Sequence, residues 1–155
     1  MKEHKYKAKL KWNDENGNGT TAYKAYSRNH QVNISGKPSL LMSSDPAFMG
    51  HKDLHNPEDL FLTALASCHM LWYLHLCSNY GITVIDYQDE AEGTMLEKPI
   101  GGGQFKEVQL NPLVTILEED KKEHAIKLHE QASQKCYIAN SCNFPITHKP
   151  TIHSK

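Results

Sequence analysis

The segment "NPEDLFLTALASCHMLWYLHLCSNYG", Asn56 to Gly81, restricts the fold more than any other. Asn56 suits an N-cap and Pro57 the first helical position. Glu58 and Asp59 complement the positive end of a helix dipole, and Gly81 suits the stop. These signals predict a helix over 57–80, about 36 Å long at ~1.5 Å per residue. From Leu60 to Cys77 it is apolar almost all round. A soluble helix of that kind has to be wrapped by other elements or by a second subunit.

The remaining segments supply strands. Residues 4–12 alternate, with Tyr6, Ala8, Leu10 and Trp12 on one side, as in a half-buried strand. "NDENGNG" at 13–19 reads as a turn. Strand character follows at about 20–27 and 30–35. Residues 36–56 then form one long irregular segment, of a length that often carries function. Residues 82–94 and 104–117 read as strand, with Pro112 arguing for an edge or bulge. Asp120 is positioned to cap a second helix over about 121–139. Ile126, Leu128, His129, Ala132, Ser133 and Cys136 form its approximate inner side. Residues 144–153 close the chain as an irregular strand. The order β-β-β-α-β-β-α-β predicts a single α+β domain over 1–155, with antiparallel sheets around a long buried central helix.

Composition excludes some functions. The net charge is −1 with histidine neutral, so bulk electrostatics predict neither nucleic-acid nor anionic-membrane partners. The lysine-rich N-terminus has no apolar run of signal-peptide type. The apolar helix carries histidines and globular caps, which argues against a membrane span. The expected location is the cytoplasm. There the four cysteines, at 68, 77, 136 and 142, are expected to be reduced, catalytic or metal-bound rather than a disulfide framework.

Metal binding fits their spacing poorly. Cys68 and His75 could share a helix face, but His69 and Cys77 would point elsewhere, and no CxxC or HExxH motif is present. No metal or cofactor is expected. Cys77 reads as a small core hydrophobe, and His69 and His75 read more simply as core or interface histidines than as catalysts.

Cys68 is distinguished by its company. A reactive cysteine must be a thiolate, and burial alone works against that. Cys68 lies too deep in the helix to use its N-terminus, so it needs a fixed cation. Sixteen of the seventeen basic residues are lysine; the one arginine is Arg28. Arginine stays charged and offers a planar fork of donors. Glu58 can hold it. Glu58 precedes Cys68 by ten residues, roughly 80° round the helix at ~3.6 residues per turn, so one group could reach both. A second cysteine, Cys136 or Cys142, could complete a redox cycle.

Two stretches carry a family resemblance. "NPEDLFLTALASCHM" (56–70) resembles the signature of the OsmC/Ohr thiol-dependent peroxidases, and "HEQASQKCYIANS" (129–141) resembles their second motif. The likeness spans roughly 20–150 and points to an OsmC-like branch. It implies that Cys68 is the peroxidatic thiolate, that Cys136 resolves it as a Cys68–Cys136 disulfide, and that Glu58 pairs with the catalytic arginine. It implies an external thiol or dihydrolipoyl reductant, a hydroperoxide substrate, and an intertwined homodimer. Arg28 in "YSRNHQV" stands outside the Gly-rich loop of the Ohr branch, and Tyr137 follows Cys136 where many members have proline. Phe48, Phe61, Met70 and Trp72 would form an apolar wall favouring organic hydroperoxides. His30, His69 and His129 are possible helpers. The rival reading is a non-catalytic member of the same fold that binds a small apolar ligand.

Overall fold

The computed structural model describes residues 2–155. The chain divides into two compact units, one ending at Leu60 and the other spanning Phe61–Lys155. The long helix begins in the first and runs through the second.

The first unit is built on one antiparallel sheet. Its strands are β1 (Lys9–Trp12), β2 (His30–Asn33) and β3 (Leu40–Met42), in that spatial order. Trp12 pairs with His30, and His30 with Met42. The sheet differs from expectation in three places. Residues 2–8 carry no regular structure, residues 20–27 are turns and bends rather than a strand, and β3 lies inside the segment expected to be irregular. The reason at 20–27 is local. Ala25 N–H donates to Ala22 C=O in a tight turn, and the Arg28 guanidinium donates to the Tyr23 and Tyr26 carbonyls, which bends the chain around one side chain.

After β3 the chain forms a pinned loop. Asp45 caps a short 3-10 turn (Pro46–Phe48) through the Ala47 N–H at 2.7 Å. Met49 closes that turn with φ of 64°. Gly50 donates to Asp45 C=O, and a Cβ at Gly50 would lie 1.6 Å from the Ser44 carbonyl oxygen. Asn56 and Asp59 then form a reciprocal cap: Asp59 N–H donates to Asn56 Oδ1 at 2.8 Å, and Asn56 N–H to Asp59 Oδ2 at 3.2 Å. This satisfies two donors at the helix start.

Helix α1 runs Pro57–Asn79 and stops at Gly81, whose φ is +64°. It is apolar on every side, yet it buries one stripe: Leu65, His69, Tyr73, Leu76 and Cys77. These fall at helical spacing. Leu71, on another side, is 62% exposed. By length and composition α1 could also cross a membrane.

The second unit holds two further sheets. In one, β4 (Val84–Asp89), β7 (Pro112–Ile116) and β9 (Thr151–Ser154) lie in the order β4-β7-β9; in the other, β5 (Glu92–Glu97), β6 (Gly103–Leu110) and β8 (Ile146–His148) lie in the order β5-β6-β8. The α+β class holds, but the sheets are not antiparallel throughout. β8 runs parallel to β6 and β9 parallel to β7, because the chain returns through the second helix before adding both strands. The stretch 82–94 contains two strands in different sheets. Pro112 starts β7, where the N–H it lacks is not missed. Along β7, Pro112, Val114 and Ile116 are buried while Leu113 is exposed, the period of a half-buried strand. In β4 a bulge between Val84 and Asp86 turns the inward set to Tyr87 and Asp89.

The second helix, α2, spans Lys122–Lys135. Asp120 does not cap it; a 3-10 turn at Glu119–Lys121 leads in, and Lys121 holds the cap position without a side-chain bond. Its inner face is Ala125, Leu128, His129 and Ala132. Ile126 is exposed, a correction to the expected inner set. One core joins Tyr73, Leu76 and Cys77 of α1 to Ile82, Val114, Ile116, Ala125, Leu128 and Ala132. A second joins Leu65, Val108 and Leu110, with Phe61, Phe105 and Phe144 packed on it.

Candidate functional site

Cys68 lies half-buried in the middle of α1. Cys136 is the first residue past the end of α2, in an extended conformation, and is 1% exposed. The fold makes the two thiols neighbours that act on each other's ionisation. Cys136 Sγ also accepts from the Ala139 N–H at 3.4 Å. Burial pushes the Cys136 thiol up to about 11, and the neighbouring Cys68 pushes the same way. Cys136 is therefore a protonated thiol near neutral pH, able to donate to its neighbour. All four cysteines are unpaired thiols.

Cys142 is placed differently. Its Sγ–H donates to Ile138 C=O at 3.2 Å, and it packs in the core around Leu65 and Phe144. Burial raises its pKa. Cys77 is fully buried, faces Tyr73 and is likewise raised by burial, in keeping with core filling.

Helical spacing puts Trp72 and His75 on the side of α1 that carries Cys68. Trp72 meets His75 and Tyr137 edge-on, at 5.6 and 5.9 Å between centroids. Lys135 Nζ stands 5.8 Å from the Trp72 ring. Leu71, Trp72 and His75 line a shallow, mainly apolar cavity of about 220 Å³. Phe61, expected in an apolar wall, stacks instead on Phe105 at 5.1 Å within the core. Phe48 belongs to the 3-10 turn of the first unit.

Arg28 and Glu58 both lie in the first unit, half-buried. Glu58 occupies the first turn of α1. The Arg28 guanidinium donates to the Tyr23 and Tyr26 carbonyls and lies 4.6 and 4.0 Å from their ring centroids. His30 Nδ1 approaches the Arg28 carbonyl at 2.9 Å. Among the described residues of the chain no salt bridge joins Arg28 to Glu58.

Behind Cys68 lies a feature the sequence did not make legible. His69 Nε2 and His129 Nδ1 are 2.9 Å apart, and both side chains are buried. Tyr73 stacks on His129 with centroids 3.8 Å apart. His148 from β8 completes the cluster, 5.5 Å from His69 and 6.1 Å from His129 between ring centroids. Burial lowers His69 to about 4 and His129 to about 3, and repulsion among the three rings adds to this. All are neutral at pH 7. Burial drives the Tyr73 and Tyr87 phenols far up. Among the described residues His129 Nε2 and His148 Nδ1 have no hydrogen-bond partner. Among the described residues no three His, Cys, Asp or Glu side chains are arranged to hold a metal ion; His69 and His129 direct a nitrogen at each other.

Residues 50–151 match the family described as OsmC-like protein, and the chain belongs to the OsmC/Ohr family. It is similar over 96% of its length, at 26% identity and a TM-score of 0.87, to the whole of an OsmC-like protein of unknown function from Vibrio cholerae. An OsmC-like protein from Mycoplasma pneumoniae shares the fold at 15% identity and a TM-score of 0.75, over 98% of this chain and 99% of that one. An organic hydroperoxide resistance protein from Elizabethkingia anophelis does so at 18% and 0.70, over 99% of each. No curated protein matches the sequence.

Proposed function

We propose that this protein is a thiol-dependent peroxidase that reduces organic hydroperoxides in oxidative-stress defence. The observation that supports the reading is that Cys136, at the end of α2, lies near enough to Cys68 of α1 for the two thiols to act on each other's ionisation. In the first step the Cys68 thiolate attacks the terminal peroxide oxygen. The O–O bond breaks, the alcohol leaves with a proton, and Cys68 becomes a sulfenic acid. Cys136 then attacks that sulfur as a thiolate, its proton leaving with the hydroxyl as water, and a Cys68–Cys136 disulfide results. Two equivalents of an external thiol, or one dihydrolipoyl group, reduce the disulfide and are themselves oxidised. No cofactor is needed.

Arg28 and Glu58 are proposed to hold the Cys68 thiolate ready. The protein is proposed to work as a cytoplasmic homodimer, a reading supported by the exposed apolar side chains of Leu10, Leu41 and Leu71. The shallow cavity beside Trp72 suits an apolar peroxide substituent.

Thiol-dependent consumption of cumene hydroperoxide tests the reading. The wild type is expected to turn over and Cys68→Ser to be inactive. Equal rates would instead favour a non-catalytic protein that binds small apolar molecules, with Cys68 as filler. Mass spectrometry of the oxidised form is expected to find Cys68 linked to Cys136; a link to Cys142 would reassign the second thiol.

A further inference from the structure

Cys68 sits on α1 and Cys136 directly follows the last residue of α2, and something must set how those helices lie against each other. Helix side chains reach about 5–6 Å from the axis, so a 20° rotation of one helix moves a side-chain end by about 2 Å. That is enough to change whether two neighbouring thiols can meet. The apolar contacts between α1 and α2, among Tyr73, Leu76, Leu128 and Ala132, are non-directional and resist such a rotation weakly.

One directional bond joins the same helices. His69 directly follows Cys68 on α1. His129 lies on α2, six residues before its last residue Lys135, and Cys136 follows directly on that end. Their nitrogens meet at 2.9 Å inside the protein, where an unmade hydrogen bond is costly. The pair is held from three directions. Tyr73 stacks on His129, Tyr87 lies 6.5 Å from it, and His148 approaches both rings from β8. The groups that face the pair are thus two phenols and a third imidazole, with Asp89 beside Tyr87. None supplies a positive charge at pH 7, and the pair stays neutral, so one ring donates and the other accepts.

We propose that the His69–His129 hydrogen bond is the positioning element of the dithiol: it sets the rotation of α1 against α2 at which Cys68 and Cys136 meet. The inference rests on the proposed Cys68–Cys136 cycle and assigns to these histidines no contact with the peroxide. It specifies which atoms matter. His69 uses Nε2 and His129 uses Nδ1. A glutamine amide can reach the place of Nε2 and an asparagine amide that of Nδ1, but not the reverse.

The test is a crossed set of variants: His69→Gln, His69→Asn, His129→Asn and His129→Gln. Each protein is oxidised with diamide and equilibrated with dithiothreitol redox buffers, so no peroxide enters. The expected result is that His69→Gln and His129→Asn hold the dithiol–disulfide equilibrium near wild type. His69→Asn and His129→Gln shift it about tenfold toward the dithiol, the scale of one lost buried hydrogen bond. Four equal values, or four equally impaired ones, overturn the inference. If the mismatched variants do not fold, the wild type decides. The imidazole ¹⁵N shifts of His69 and His129 must differ between the reduced and diamide-oxidised protein, and unchanged shifts overturn the coupling. A crossed pattern without hydroperoxide turnover would remove the peroxidase reading and keep the bridge; turnover without the crossed pattern would do the opposite.

Discussion

The Tyr73 ring lies 3.8 Å from the His129 ring and nearly parallel to it, sealing the buried imidazole pair beneath α1. Both histidines titrate well below the ordinary 6.5, His69 near 4 and His129 near 3. The unfolded chain therefore takes up protons below pH 6.5 that the folded chain refuses until about pH 4. Stability from this source is complete above pH 6.5 and is lost as pH falls toward 4 and 3. The expected loss between pH 7 and 4.5 is on the order of 2–3 kcal/mol per histidine. Denaturant midpoints across that range check it. A profile that stays flat would contradict neutral burial, and His129→Asn should flatten the slope.

Cys136 carries a thiol raised to about 11, so it is protonated throughout the neutral range. Cys136→Ser is expected to leave one round of peroxide attack intact and to stop the second step. A trap for sulfenic acid should then label Cys68 in the Cys136→Ser protein and label it far less in wild type. Equal labelling of both would show that Cys136 does not resolve Cys68.

Arg28 makes a two-point bond to its own loop and lies against two tyrosine rings. Lysine keeps the charge but neither the fork nor the flat surface. Arg28→Lys is expected to cost about 1–2 kcal/mol of stability from local loosening of 20–28. Under the proposed role it also slows Cys68 alkylation and peroxide turnover. Thermal midpoint and the pH dependence of thiol alkylation separate the two effects; an unchanged alkylation profile would leave Arg28 a purely structural residue.

Gly50→Ala tests the pinned loop ahead of α1. The added carbon would fall 1.6 Å from the Ser44 carbonyl oxygen, and backbone cannot yield that far without opening the Asp45–Gly50 turn. A destabilisation of roughly 2 kcal/mol or more is expected. Hydrogen exchange should speed first at Phe48, Met49 and Gly50, whose N–H groups close the turn. Protection unchanged at those amides would show that the turn tolerates a side chain.

Local chemistry made α1 legible in the sequence. A capping residue, a proline, two acids and a stopping glycine act within a turn of where they stand, so the Asn56 cap, a span expected at 57–80 and found at 57–79, and the Gly81 stop follow from neighbours alone. The same holds for the interest of Cys68 and for the inertness of Cys77. Other features needed distant partners. Whether 20–27 forms a strand depended on what Arg28 bonds. Whether the last strands run parallel depended on where α2 returns the chain. That Cys136 lies beside Cys68 depended on how the end of α2 packs near α1. The His69–His129 bond joins residues 60 apart, and no pattern in either neighbourhood marks it. Propensities and caps are short-range and written in adjacent residues. Which buried polar atoms meet is set by the packing of whole elements, and that only the tertiary structure decides.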